Sequence, residues 1–229
     1  MDIEISPRKV LVILLSMIGF LLFANVAGIV SKYGFGHDSV YGLVNLFDFD
    51  QEMNLPTLYS SIQLIVACLL LSIIGAKHRL NGENYVLWIA LAVIFLFLAV
   101  DETALIHEVI GVRISKAFEP TGLFYYAWVI PYGIAVLVFV ITFSKFLFAL
   151  PKETKWRFIA SGAIYVTGAI GFEMLSGISD QSYGVNSVFY SMFYTCEELL
   201  EMVGIALFIY ALLAYISNEF QYLRATFTV

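Results

Sequence analysis

The sequence predicts an all-α integral membrane bundle of six transmembrane helices with both termini cytoplasmic. Three observations lead there. The chain is 61% hydrophobic and only 13% charged, with a mean hydropathy of +0.88, well outside the composition of soluble domains. Six apolar stretches have the roughly 20-residue length that crosses a hydrocarbon core about 30 Å thick. The basic residues, finally, fall unequally between the two sets of connecting loops, which fixes orientation. The spans are placed at 9–32, 57–76, 85–111, 124–149, 156–177 and 194–216, a single transmembrane domain over 1–229 with no room for a separate soluble one. Two cysteines and a net charge of -6 without a basic run argue against a disulfide scaffold and nucleic-acid binding.

The first span follows Pro7, Arg8 and Lys9 and contains no Ala-x-Ala-like cleavage site. It reads as a retained helix, with the mature protein starting near Met1. The 33–56 loop is acidic, with Asp38, Asp48, Asp50 and Glu52, and His37 in its Gly-rich turn reads as a loop histidine. Pro56 starts the second helix, where a proline without an amide donor is tolerated. The third helix carries Asp101, Glu102, His107 and Glu108. Pro131 is expected to kink the fourth, since a proline ring removes one backbone hydrogen bond. Gly162, Gly168, Gly171 and Gly177 make one side of the fifth helix small enough for a neighbour to approach closely, and Glu173 lies on the same helix. The sixth carries Glu197, Glu198 and Glu201. Cys68 and Cys196 lie at different depths and are not expected to pair. Tyr85, Trp88, Tyr125, Tyr126, Trp128, Trp156, Tyr190 and Tyr194 read as interfacial anchors, because their rings favour the headgroup level.

Arg8, Lys9, Lys77, Arg79, Lys145, Lys152, Lys155, Arg157 and Arg224 fall on the side of the termini, against Lys32, Arg113 and Lys116 opposite. This asymmetry places the termini in the cytoplasm and an acidic face outside. The absence of an Asn-x-Ser/Thr sequon agrees with a bacterial plasma (inner) membrane.

Ionisable residues inside spans carry the functional signal, since each costs about 2.5 to 3.5 kcal/mol on insertion scales unless partnered or hydrated. Counting at about 1.5 Å per residue, Asp101, Glu173 and Glu201 reach one level, about 24 Å from the cytoplasmic boundary. Glu197, Glu198, His107 and Glu108 sit up to two turns closer to the outside, and Glu52, Ser60 and Ser61 reach the same layer. On a continuous helix Asp101 and Glu108 share a face flanked by Glu102 and His107, while Glu197, Glu198, Glu201 and Tyr194 occupy one arc of the sixth. Seven carboxylates and one imidazole in the helices cannot all stay ionised and unpaired at low dielectric.

Three compensations are open: a divalent metal, shared protons, or basic residues, either Arg113 and Lys116 folding back or those of a membrane-protein partner. Carboxylates with one imidazole suit Mn, Fe, Ca or Zn. The leading expectation is such a metal ion held by Asp101, His107, Glu108, Glu173, Glu197 and Glu201, with Glu102 or Glu198 left to move protons. If catalytic, the site performs metal-assisted hydrolysis or redox chemistry on a lipid-accessible small substrate. A proton- or cation-handling protein is the alternative, with Asn25, Gln63 and Thr167 as the only conspicuous deeper polar steps, and a non-catalytic complex subunit is another. His107-Glu108 is followed by Gly111 where a zincin needs its second His, and no Glu-x-x-His di-iron unit occurs, so neither class applies.

The run from Glu52 to Ser61, the Asp-Glu-x4-His-Glu run from Asp101 and the Glu-Glu-x2-Glu run from Glu197 together resemble a family of uncharacterised bacterial multipass membrane proteins. The resemblance covers most of the chain and implies no activity. It does imply that Glu52, Ser60 and Ser61 belong with the helical acids.

Overall fold

The computed structural model describes residues 6–220; Arg224, counted above in the charge asymmetry, lies outside the described residues. Six helices are long and apolar enough to cross a membrane. The chain runs through α1 (Pro7–Phe35), a short α2 (Leu43–Phe47), α3 (Leu55–Leu80), α4 (Val86–Ala104), α5 (Ile106–Phe118), a 3-10 turn (Gly122–Phe124), α6 (Val129–Ala149), α7 (Lys152–Val166), a π-helical segment (Thr167–Phe172), α8 (Glu173–Tyr183) and α9 (Val188–Glu219). Local chemistry sets several boundaries. Asn54 caps α3 by accepting from the Thr57 amide, with Pro56 in the first turn. Ser187 caps α9 in the same way, through the Tyr190 amide.

α9 is the axis of the bundle, packed against α1, α3 and α7. Its Ile209 and Leu212 close a core with Leu64 and Leu71 of α3 and Trp88 of α4, while its Met202 and Tyr194 close another with Ile18 and Leu21 of α1 and Phe49 of the loop. Asn25 of α1 donates to Thr195 of α9, and Ser191 donates to Tyr33. Increasing numbers on α1 therefore meet decreasing numbers on α9, so the two run antiparallel and the described ends share one end of the bundle. α6 stands apart, with only Val129 and Phe143 buried, and turns Leu137 and Ile141 outward as a lipid-facing surface would.

Four features differ from the sequence expectation. The third span, expected unbroken over 85–111, ends at Ala104, and Leu105 adopts φ 55° before α5 begins. A left-handed leucine costs about 1–2 kcal/mol. The shared face of Asp101 and Glu108 assumed a continuous helix and is replaced by a fold-back. Pro131 kinks nothing, because α6 starts at Val129 and the proline occupies its first turn, where no intrahelical donor is missing. Among the aromatic residues, Trp156 is exposed, but Trp88, Trp128, Tyr190 and Tyr194 are buried in the interior instead of anchoring at an interface. Of the glycines on the fifth span, Gly168 meets α9, and Gly177 meets Tyr125 and Tyr126. Gly162 faces open space.

Candidate functional site

The break at Leu105 builds the centre of the site. Because α5 starts afresh, the His107 amide has no helical acceptor, and it donates to Asp101 Oδ1 at 2.9 Å. The same carboxylate faces the imidazole, with His107 Nδ1 3.4 Å from Asp101 Oδ2. The other ring nitrogen, Nε2, points toward Glu52 Oε1 at 3.8 Å. Trp128 tilts over the imidazole with ring centroids 4.9 Å apart, and Tyr132 meets it edge-on at 6.4 Å. One ligating atom each from Glu52, His107 and Glu108 lies within 4.8 Å of the others, a separation suited to a single shared cation.

Glu52 comes from the 36–54 loop, which polar contacts tie down over the bundle. Buried Asn25 accepts from the Phe49 amide at 3.0 Å while donating to Thr195, so it is committed to holding the loop and offers no step of a polar path. Asn54 donates to the Asp48 carbonyl at 2.7 Å. Tyr190 donates to Asp50 at 2.6 Å, and Tyr126 donates to Asp180 at 3.0 Å. Each such bond contributes about 1 kcal/mol net, and together they hold the loop, α8 and α9 in one arrangement.

Beneath this centre lies a cavity of about 930 Å³ whose wall includes Glu52, Asp101, Glu102, His107, Glu108, Glu173, Tyr194, Glu197, Glu198 and Glu201. The deeper acids have their own partners. Trp128 Nε1 donates to Glu173 at 2.7 Å, Ser176 donates to Glu197 at 3.2 Å, and the Glu173 and Glu197 side chains lie against each other. Glu102 of α4 faces Glu198 and Glu201 of α9, and Tyr165 reaches Glu201. The π-helical segment ahead of Glu173 widens the backbone by one residue per turn. It occurs where Gly168 presses against the Glu197 carbonyl and the Glu201 backbone, so it sets both the helix approach and the facing of Glu173.

Ser60 and Ser61 are outside the cavity wall, a correction to their expected place. Both are buried on α3, and Ser61 donates to the Ala99 carbonyl of α4 at 3.0 Å, because this face of α3 packs on α4. Sequence reasoning assigned Trp128, Tyr126 and Tyr190 to an interface and missed Tyr132, Tyr165 and Ser176. The one available signal was the density of Trp and Tyr beside the acidic runs.

Among the described residues no Lys or Arg pairs with a cavity acid: the ion pairs are His78 with Glu83, His107 with Glu52 and Asp101, and Arg157 with Glu153. Burial pushes the Glu52 carboxyl up to about 7, opposed by His107 and reinforced by Glu108 and Asp101. Burial alone would lower the His107 imidazole, but the Asp101 carboxylate and the charges of Glu52 and Glu108 hold it above the usual histidine value.

Both shifts act with one sign. A folded-state pKa above the unfolded one means that the fold binds the proton more tightly, so stability falls as pH rises. The metal-free protein is expected to lose thermal stability from pH 4.5 through about 7 as Glu52 ionises. His107 contributes fully below 6.5, and that contribution disappears as pH rises through its raised folded value. Melting curves recorded with a chelator check this, and Glu52→Gln should flatten the acidic part of the slope. Rising stability across that window would contradict the geometry of the pair.

A family model described as "Domain of unknown function (DUF8692)" matches residues 10–216, a stretch that reaches from α1 to α9 and contains every residue of the site. The chain belongs to this family. No curated protein and no solved structure matches it.

Proposed function

We propose that this family member is a metal-dependent membrane enzyme that holds one divalent cation at Glu52, His107 and Glu108 and acts on a lipid-accessible substrate. The observation that carries the reading is the convergence of those three ligating atoms within 4.8 Å, with Asp101 behind the imidazole. A carboxylate on the far ring nitrogen is the usual support of a metal-bound histidine, since it fixes tautomer and orientation. Asp101 thus becomes a positioning residue. Glu173, Glu197, Glu198, Glu201 and Glu102 form a second, deeper layer that shares protons and supplies or accepts them at the substrate. Bound, the cation would act as a Lewis acid on a substrate oxygen or activate a water. The donor set of two carboxylates and one imidazole fits Mn, Fe, Zn or Ca. Elemental analysis of purified protein tests the reading: stoichiometric metal in the wild type and its loss in Glu108→Gln support it, and metal-free wild-type protein after purification without chelator and added-metal exposure overturns it.

The same reading places the metal face on the exterior of the cell membrane and both termini in the cytoplasm, following the basic-residue asymmetry. A reporter fused after Val229 should be cytoplasmic, and one inserted near Asn186 external. An external C-terminal reporter would turn the site inward and remove the case for an extracytoplasmic substrate.

A further inference from the structure

The cavity does not end at the carboxylates. It continues between α4, α6, α7 and α9 as a chamber walled by Phe95, Leu98, Val136, Phe143, Leu147 and Phe208. The polar side chains in this lower wall are Tyr165 and Ser161, and the Ser161 hydroxyl donates to the Phe158 carbonyl. Water there would find few partners, which makes the chamber a seat for hydrocarbon. From Tyr132 to Leu147 along α6 the wall extends about 22 Å at 1.5 Å per residue. One leaflet occupies about half of a 30 Å core, so the chamber is long enough for a lipid tail.

It has a floor and a side opening. Phe146 meets Trp88 edge-on with centroids 4.9 Å apart, and Phe158 tilts against Phe208 at 4.7 Å, closing the end away from the acids. Phe97 of α4 and Phe139 of α6 both line the chamber and are exposed on the bundle surface, so the slit between these helices faces the lipid. The backbone of α6 comes close to the bundle chiefly at its turn into α7, leaving that slit unsealed above the Phe146–Trp88 contact.

We propose that this chamber holds one hydrocarbon tail of a membrane lipid, entered sideways between α4 and α6, with the lipid's oxygen-bearing head group at Glu52, His107 and Glu108. The inference rests on the metal reading for the head group, whereas the tail seat rests on the chamber alone. A polar group at one end of an apolar chamber that opens sideways is the arrangement an amphiphile matches, and a fully polar substrate would leave the lower chamber unfilled.

The test uses the full chain in vesicles of phosphatidylethanolamine and phosphatidylglycerol that contain a phospholipid with a diazirine at the end of one acyl chain. After illumination, labelled residues are mapped by peptide mass. Labels are expected on Phe143, Phe158 or Phe208, which are buried and out of reach of bulk lipid. Gly162→Phe projects a ring into the chamber from a position where a Cβ meets nothing within 4 Å, and Ala135→Phe does so from the opposite wall. Either should cut labelling of those buried residues at least about tenfold while leaving labels on outward Ile141 unchanged. Labels confined to the outer surface of the wild type would overturn the tail seat without any variant, as would full labelling of Phe208 in folded variants. Glu108→Gln separates the two readings: it removes the metal response and leaves the Phe208 label. A wild type that binds no metal but labels Phe208 keeps the tail and loses the head-group assignment.

Discussion

Adding Mn, Zn, Ca or ferrous iron to the metal-free protein is expected to raise its unfolding temperature, and His107→Gln is expected to abolish the rise. A ligand that binds only the folded state stabilises it by about 2.7 kcal/mol at a hundredfold excess over Kd. Glu52→Gln and Glu108→Gln should each lose most of that stabilisation, because two remaining ligands rarely hold an ion that three were arranged to bind. Asp101→Asn should behave differently. It keeps the His107 geometry but weakens the charge behind the imidazole, so metal affinity should fall about 10- to 100-fold without vanishing. Glu201→Gln is the discriminating variant, since Glu201 lies in the deeper layer beside Tyr165 and its loss should leave the metal shift largely intact. The measurement is a thermal melt at several metal concentrations and pH values. Binding requires deprotonated ligands, so the metal shift should grow with pH while metal-free stability declines. A wild-type protein whose melting temperature ignores all four ions would sink the assignment.

The six spans were legible because a bilayer imposes a length and a composition, and nothing else in the chain competes with those signals. The convergence of the acids was legible too, since carboxylates inside spans are costly unless partnered or hydrated, and Asp101, Glu102, Glu173, Glu197, Glu198 and Glu201 line one cavity together with His107 and Glu108 of α5. What stayed hidden depends on backbone departures that no periodicity announces. A left-handed leucine has no sequence signature, so the turn at Leu105 that swings His107 back onto Asp101 could not be read from a pattern that looked continuously helical. The π-helical segment before Glu173 is hidden for the same reason. Trp128 was misread because position near a span end favours an anchor and does not reveal that the indole donor meets Glu173. Ser60 and Ser61 were placed by depth and by the resemblance, and neither carries information on which neighbour a helix face will meet.

Gly204→Ala and Gly168→Ala should be among the most damaging small substitutions in the chain. A Cβ on Gly204 would lie 2.8 Å from the Tyr165 amide nitrogen, and one on Gly168 would lie 2.7 Å from the Glu197 carbonyl oxygen. In both cases the obstacle is backbone, which cannot rotate away as a side chain does, so the crossing of α9 with α7 and the π-helical segment must open. Overpacking of this kind costs about 1–3 kcal/mol per site, against the 0.5–1 kcal/mol that alanine gains over glycine inside a helix. Gly162→Ala, where nothing lies within 4 Å, should show only the gain. The consequence reaches the site, because this crossing brings Glu173 of α8 against Glu197 of α9 and Tyr165 against Glu201. Spreading it separates the deeper acids while leaving Glu52, His107 and Glu108 on their own elements. Both alanine variants should therefore melt several degrees lower than the wild type yet keep a metal shift, whereas any turnover assay should fall with the loss of the proton-sharing layer. Melts of the three variants with and without metal decide the matter, and equal stability of Gly204→Ala and Gly162→Ala would show that α7 and α9 do not cross at Gly204.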